Sequence, residues 1–219
     1  NADSFLGKNF GDKNIIIPNG CDIDFFKPDI SKKASVFKIV FAGRLVKQKD
    51  PLTFLNALNL LAKKGVPFHA SIVGNGPLKK SMEKFIRNNS LTEYVTFTGW
   101  VNKETILGEY QSAWVFVQTS QYEAMSVAPL EAMACGTYVI CTSAGANSDI
   151  ITAEENGEIF PIADSQELSE KLVAFYNNKF KKGFIADTDI VNKIRTSHDW
   201  SHILLKYQEL LEKTAIQNN

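Results

Sequence analysis

The chain has 219 residues, enough for one well-buried domain and too few for two full α/β domains. Hydrophobic residues make up 44% and charged residues 22%, the balance of a folded soluble protein, and 24 Lys plus Arg against 24 Asp plus Glu leave no net field to collect nucleic acid. The apolar runs, such as Ala113–Val117, fall far short of the roughly 20 residues that cross a bilayer, and the three cysteines, Cys21, Cys135 and Cys141, form no CxxC pair. A membrane span, a disulfide framework and a zinc site are therefore not expected, and a reducing, cytoplasmic setting is. The first residue is Asn1 and not Met, so the chain reads as a fragment.

Residues 1–34 show no periodicity and contain Pro18, Gly20 and Pro28, which reads as a linker segment arriving from a missing N-terminal domain. Residues 35–219 then repeat one pattern, an apolar run followed by an amphipathic stretch. Phe37–Ala42 precedes Pro51–Lys64, His69–Val73 precedes Leu78–Asn88, and Tyr94–Thr98 precedes Lys103–Gln111. Trp114–Gln118 leads into Val127–Cys135, and Tyr138–Thr142 into a short helix near Ser148–Ile151, with a sixth strand near Glu158–Phe160. Strands rich in β-branched and aromatic residues alternating with helices predict a Rossmann-like, doubly wound parallel sheet of about six strands with helices on both faces. Ser165 opens a further helix ending near Asn177, and two helical stretches follow. The last of these, from about Asp199, carries Trp200, Ile203, Leu204, Tyr207, Leu210 and Leu211 at spacings of three and four, so one face is expected to be buried, with part of it wet in isolation.

In such a sheet ligands bind beyond the carboxyl ends of the strands, which directs attention to the loops there. After the first strand, Gly43 permits a tight turn while Arg44, Lys47 and Lys49 bring cations to the crevice, which suits a diphosphate or, equally, a solvated basic loop. The second loop, Gly74-Asn75-Gly76-Pro77, reads mainly as a tight helix entry with Pro77 at the first helical position. It lacks the third glycine of a dinucleotide fingerprint, and the first loop has only Gly43, which counts against an NAD dehydrogenase. The fourth loop runs from Thr119 through Glu123 into a helix carrying Glu131. The amides around Met125, Ser126 and Val127 sit where a helix N-terminus offers unpaired N–H groups to phosphate or sugar oxygens. Glu131 is placed to accept hydrogen bonds from vicinal hydroxyls such as those of a ribose, and Glu123 to reach a sugar. Both also fit ordinary surface glutamates near a helix start, where the dipole favours them. Asp22-Ile23-Asp24 has the form of a metal-binding DxD but lies before the first strand and reads as a polar turn, while His69, His198 and His202 read as structural.

Taken together, IPNGCDIDFFKP at 17–28, FAGRLVKQKD at 41–50, VGNGP at 73–77, VTFTGWV at 95–101 and YEAMSVAPLEAMACGTYVI at 122–140 resemble glycosyltransferase family four, retaining enzymes with the GT-B fold. NGEIFP and WSHILLKYQELLEK extend the resemblance over nearly the whole chain from Ile15 onward. It implies the C-terminal, donor-binding domain, with Arg44 and Lys49 on the diphosphate of a nucleotide-sugar donor, Glu131 on the ribose and Glu123 beside the transferred sugar. It also implies backbone contacts from Gly99, Trp100 and Val101 to the base; stacking of the Trp100 ring on that base is a separate expectation that the resemblance does not supply. Many relatives read Glu-Gly-Phe-Gly where this chain reads Glu123-Ala124-Met125-Ser126, so the loop's contacts to the donor are expected to differ in detail.

The resemblance implies transfer of a sugar from a nucleoside diphosphate to an acceptor hydroxyl with retention, the acceptor sugar, glycan or lipid being held by the missing N-terminal domain. Arg44, Lys49 and the helix N-terminus are aimed where negative charge grows on the leaving group, so neither a metal nor another cofactor is expected. Glu123 is assigned to positioning the donor sugar. No nucleic-acid partner is expected, and a membrane surface only for the intact enzyme. The alternatives are a sugar-nucleotide epimerase or phosphorylase on a similar scaffold, or a non-catalytic sugar-nucleotide-binding module.

Overall fold

The apolar runs fold as the pattern predicts because the central strands are covered on both faces. The computed structural model describes residues 15, 17–151, 153, 155–184 and 188–217. Six strands, β1 (Lys38–Ala42), β2 (His69–Val73), β3 (Val95–Gly99), β4 (Val115–Gln118), β5 (Tyr138–Thr142) and β6 (Gly157–Phe160), form one sheet in the order β3-β2-β1-β4-β5-β6. Each adjacent pair is parallel. The helices are α1 (Pro51–Lys63), α2 (Lys79–Asn88), α3 (Lys103–Ser112), α4 (Val127–Ala134), α5 (Asn147–Ile150), α6 (Ser165–Asn178), α7 (Thr188–His198) and α8 (Trp200–Gln217). The expected Rossmann-like architecture is the one observed, with element ends within a residue of the sequence reading.

The period of two along each strand sorts the core into two layers. Phe37, Ile39, Phe41, Ile72, Val115, Val117 and Ile140 face a cluster with Phe54 and Leu58 of α1 and Leu172 and Phe175 of α6. Val40, Val73, Phe116, Val139 and Cys141 face the other, with Tyr110 of α3, Leu130 and Met133 of α4 and Ile194 of α7. Helix starts are set by local chemistry. Asp50, in the left-handed region (φ 43°), accepts from Thr53 N at 3.3 Å ahead of Pro51, and Asn102 accepts from Thr105 N at 2.9 Å ahead of α3.

Of the segment before Ala34, residues 17–34 pack on this second layer. Cys21 and Phe26 are buried, and Cys21 N donates to His198 O at 2.6 Å. Lys33 is half-buried, with its ammonium donating to Ala113 O, and desolvation lowers its pKa to about 8. Asp22 accepts from Phe25 N at 3.1 Å and from Lys103 Nζ at 2.6 Å, so the DxD-like triplet folds as a polar turn, with Asp24 97% exposed. The remainder of the 1–34 expectation, residues 1–14 and 16, lies outside the described residues. On α8, Ile203 is buried while Trp200, Leu204, Tyr207 and Leu211 are exposed, so most of the apolar face expected to be buried is wet. No helix among the described residues is long and apolar enough to cross a membrane.

Candidate functional site

The strand order reverses between β1 and β4, so the loops leaving their carboxyl ends diverge and open a crevice. A cleft of about 340 Å³ lies there. Gly43 and Arg44 after β1, Gly74 and Asn75 after β2, and Trp100 and Val101 after β3 form one wall; Ile106 and Tyr110 of α3 and Ala128 of α4 form the other.

The first wall is rigid because three loops exchange backbone hydrogen bonds. Gly43 N donates to Val73 O at 2.9 Å, Gly74 N to Gly99 O at 2.7 Å, and Leu45 N to Asn75 O at 2.9 Å. This spacing leaves no room for a side chain at Gly74, where a Cβ would sit 1.9 Å from Gly43 O and φ is +136°. Gly76 is pressed in the same way, with Leu45 O 2.5 Å from a built Cβ. The Gly-Asn-Gly string is thus chiefly a device for close approach of two loops. Arg44 is exposed at the rim and its side chain has no hydrogen-bond or ion-pair partner among the described residues, so its guanidinium is available to a ligand.

Lys49 does not line the cleft beside Arg44. Its side chain runs past Gly43, a Cβ of which would lie 3.8 Å from Lys49 Cδ, and its ammonium forms a largely buried ion pair with Glu123 Oε1. Ser120 Oγ donates to the same oxygen at 2.7 Å. The loop from Thr119 to Ser126 is pinned from several sides: Gln121 N donates to Gln48 O at 2.8 Å, Ala146 N to Ala124 O at 3.1 Å, and Asn19 Nδ2 to Met125 O at 2.9 Å. The carbonyls of Ala124 and Met125 are thereby taken up within the protein.

The same loop delivers Ser126 as the N-cap of α4 without a side-chain capping bond. Pro129, the third helical residue, has no N–H for a capping oxygen to accept, and the N–H groups of Val127 and Ala128 head the helix beside the cleft. One turn on, Glu131 is half-buried and accepts a hydrogen bond from Tyr110 Oη at 3.3 Å. Burial pushes the Glu131 carboxyl up, opposed by the Tyr110 hydroxyl and by the charge of Lys103.

A carboxyl whose folded pKa is raised binds protons more tightly folded than unfolded, so it subtracts stability as pH rises from 4.5, its ordinary value, through the raised one. Glu131→Gln keeps the Tyr110 bond and removes that titration. In thermal melts from pH 4 to pH 7 the variant is expected to gain on the parent steadily, and a constant difference would contradict the assignment.

Among the sequence-predicted residues, Gly43, Arg44, Gly74, Trp100 and Val101 meet in the cleft, and Gly99 backs it through its carbonyl. Met125, Ser126 and Val127 lead into α4 beside Ala128, Glu131 is tied to the cleft through Tyr110, and Lys49 with Glu123 stands at the Gly43 edge. Tyr110 and Ile106 were not expected in the site; four apart on α3, they carried only the signal of a buried helix face. Lys103 also lines the cleft, paired with Asp22 and lying 4.3 Å from the Phe25 ring centroid, a role without any sequence signature. No cluster of three or more metal-binding side chains occurs among the described residues.

A family model described as glycosyl transferases group 1 matches residues 22–192. D-inositol 3-phosphate glycosyltransferase of Paenarthrobacter aurescens is 30% identical over 158 residues, which cover 67% of this chain and 39% of that protein. The chain thus spans about two-fifths of the length of the curated relatives it matches. Among solved structures, Anabaena HepE in complex with UDP-glucose superposes with a TM-score of 0.80 at 22% identity, covering 91% of this chain and 57% of that one. The C-terminal domain of a glycosyl transferase group 1 family protein, LpcC from Francisella tularensis, gives 0.65 at 26% identity, covering 86% of this chain and 98% of that domain.

Proposed function

The chain belongs to the glycosyl transferases group 1 family, and from that premise we propose that it is the donor-binding half of a retaining, family-four glycosyltransferase of the GT-B fold. The observation that carries the reading is the cleft at the strand-order reversal, lined by the unpaired Arg44 side chain and by Ala128 at the uncapped start of α4, with Tyr110 linking it to the Glu131 carboxylate. In this reading residues 35–219 form the donor domain and residues 1–34 arrive from an N-terminal domain that holds the acceptor sugar, glycan or lipid. The match of this chain to nearly all of an isolated C-terminal domain supports that division.

The donor is a nucleotide-diphosphate sugar. Arg44 and the N–H groups of Val127 and Ala128 receive the diphosphate, Glu131 accepts from the ribose hydroxyls, and the 86% exposed Trp100 indole stacks on the base beside Gly99 and Val101. As the sugar leaves, negative charge grows on the distal phosphate, and these donors stabilise it in place without a metal. Glu123, held by Lys49 and Ser120, positions the transferred sugar at the edge of the diphosphate site. The complex of HepE with UDP-glucose supports a sugar nucleotide as the ligand class.

The test is calorimetric titration with UDP, GDP, ADP and their common sugar conjugates, on the parent and on Glu131→Ala. One nucleotide family is expected to bind, and Glu131→Ala to weaken it about tenfold, the worth of one charged hydrogen bond. Equal affinity for the ribose and 2′-deoxyribose forms would remove Glu131 from the ribose.

A further inference from the structure

Buried amides tie Ser126 into a hydrogen-bond chain whose direction can be read from its far end. Asn147 Nδ2 donates at 3.0 Å to Thr142 O, a backbone carbonyl that can only accept, which fixes the orientation of that amide. The same Nδ2 donates to Gln118 Oε1 at 3.0 Å, so the opposite end of Gln118 is its NH₂, and Nε2 donates to Ser126 Oγ at 2.8 Å. Gln118, Asn147 and Ser126 are 3%, 1% and 9% exposed, so water does not scramble the order. The Ser126 oxygen is thereby fixed as the acceptor from Gln118. It makes no N-cap bond to the helix, and the third helical residue, Pro129, has no N–H to offer one. The hydroxyl hydrogen has no acceptor among the described residues, and it stands at the head of α4 beside the cleft that Ala128 lines.

We infer that Gln118 and Asn147 are positioning residues that hold the Ser126 hydroxyl as a hydrogen-bond donor to the distal phosphate of a bound nucleoside diphosphate. The inference rests on the proposed donor-binding reading. The Ser126 O–H and the Val127 and Ala128 N–H groups are then three donors heading one helix, a set that favours an anionic oxygen. A glycine at this position would supply only the backbone group. The serine adds a donor at the price of needing the buried amides behind it.

The test uses the full 219-residue chain and whichever of UDP, GDP or ADP it binds, with the matching monophosphate measured by competition. Ser126→Ala and Ser126→Gly are expected to weaken the diphosphate about tenfold and leave the monophosphate within about twofold. Gln118→Glu keeps the bond from Asn147 but accepts the Ser126 proton, so it is expected to cost the diphosphate more than Ser126→Ala does. Glycine is tolerated at an N-cap and admits a water to Gln118, which guards against misfolding. Parallel losses for diphosphate and monophosphate, no loss at all, or a loss seen only with sugar conjugates would each overturn the assignment. Failure of the parent chain to bind any nucleotide would overturn the donor-site reading and this inference with it. Binding by the parent that Arg44→Ala weakens and Ser126→Ala does not would overturn the inference alone.

Discussion

Arg44→Ala is expected to reduce the affinity of the chain for nucleoside diphosphates about a hundredfold while leaving its melting temperature within about 2 °C of the parent. The first figure follows from a forked, charge-assisted pair of hydrogen bonds to phosphate, each worth about 1.5–3 kcal/mol, of which roughly 3 kcal/mol survives as net loss at tenfold per 1.4 kcal/mol. The second follows from the environment of Arg44. It is exposed and its side chain makes no hydrogen bond or ion pair within the described residues, so truncating it breaks no side-chain contact of that kind, and surface changes of that sort stay within about 0.5 kcal/mol. Arg44→Lys separates charge from geometry. Lysine restores a point charge but not the fork, so it is expected to recover part of the loss and no more. Titration calorimetry and thermal melts on the same samples read both quantities. A drop in stability matching the loss of affinity would mean that Arg44 holds the loop and not the ligand.

The opposite profile is expected of Gly74→Ala. Its Cβ would lie 1.9 Å from Gly43 O, and its φ of +136° is one that L side chains rarely adopt. Gly43 cannot yield easily, because its N–H is bonded to Val73 O at 2.9 Å while Gly74 N holds Gly99 O at 2.7 Å. Overpacking costs about 1–3 kcal/mol and the backbone strain about 1–3 kcal/mol more, so a loss of about 3–4 kcal/mol is expected. For a chain of this size that lowers the melting temperature by about 10 °C. Since the clash pushes apart the loops that form one wall of the cleft, nucleotide affinity is expected to fall with stability even at temperatures where the variant remains folded. Gly65→Ala is the control. It shares the left-handed backbone, with φ +71°, but a Cβ there meets nothing within 4 Å, so only the strain is expected, with affinity unchanged. Equal behaviour of the two variants would show that crowding against Gly43 is not what the Gly-Asn-Gly string avoids.

The contrast between Arg44 and Lys49 marks how far the sequence reaches into the site. Both are cations in one basic loop, and nothing in their spacing distinguishes them. In the folded chain the 3-10 turn at Lys47–Lys49 rotates Lys49 inward, where Glu123 takes its charge, and leaves Arg44 at the rim. Tyr110 is the converse case: its place at a helical interval from Ile106 reads as plain core, and it is core, being 1% exposed. Its hydroxyl nevertheless reaches Glu131, which lies twenty-one residues further along the chain. A hydrogen bond of that range leaves no periodic trace in either helix.

What the sequence alone determined is the class of fold and the set of loops that could carry function. The alternation of strand and helix patterns is a local signal, written in side chains every two or every three to four residues, and local burial preference is enough to read it. The strand order, with its reversal between β1 and β4, and the resulting choice of which loops face one another were decided only by the tertiary structure, because pairing joins residues far apart in sequence. The same reason governs the charges and hydroxyls of the site. Whether Lys49 is free or paired, whether the Gly74 backbone has a neighbour, and which way the Ser126 proton points depend on groups that chain folding brings within hydrogen-bond reach, at distances of about 3 Å, a scale no sequence pattern specifies.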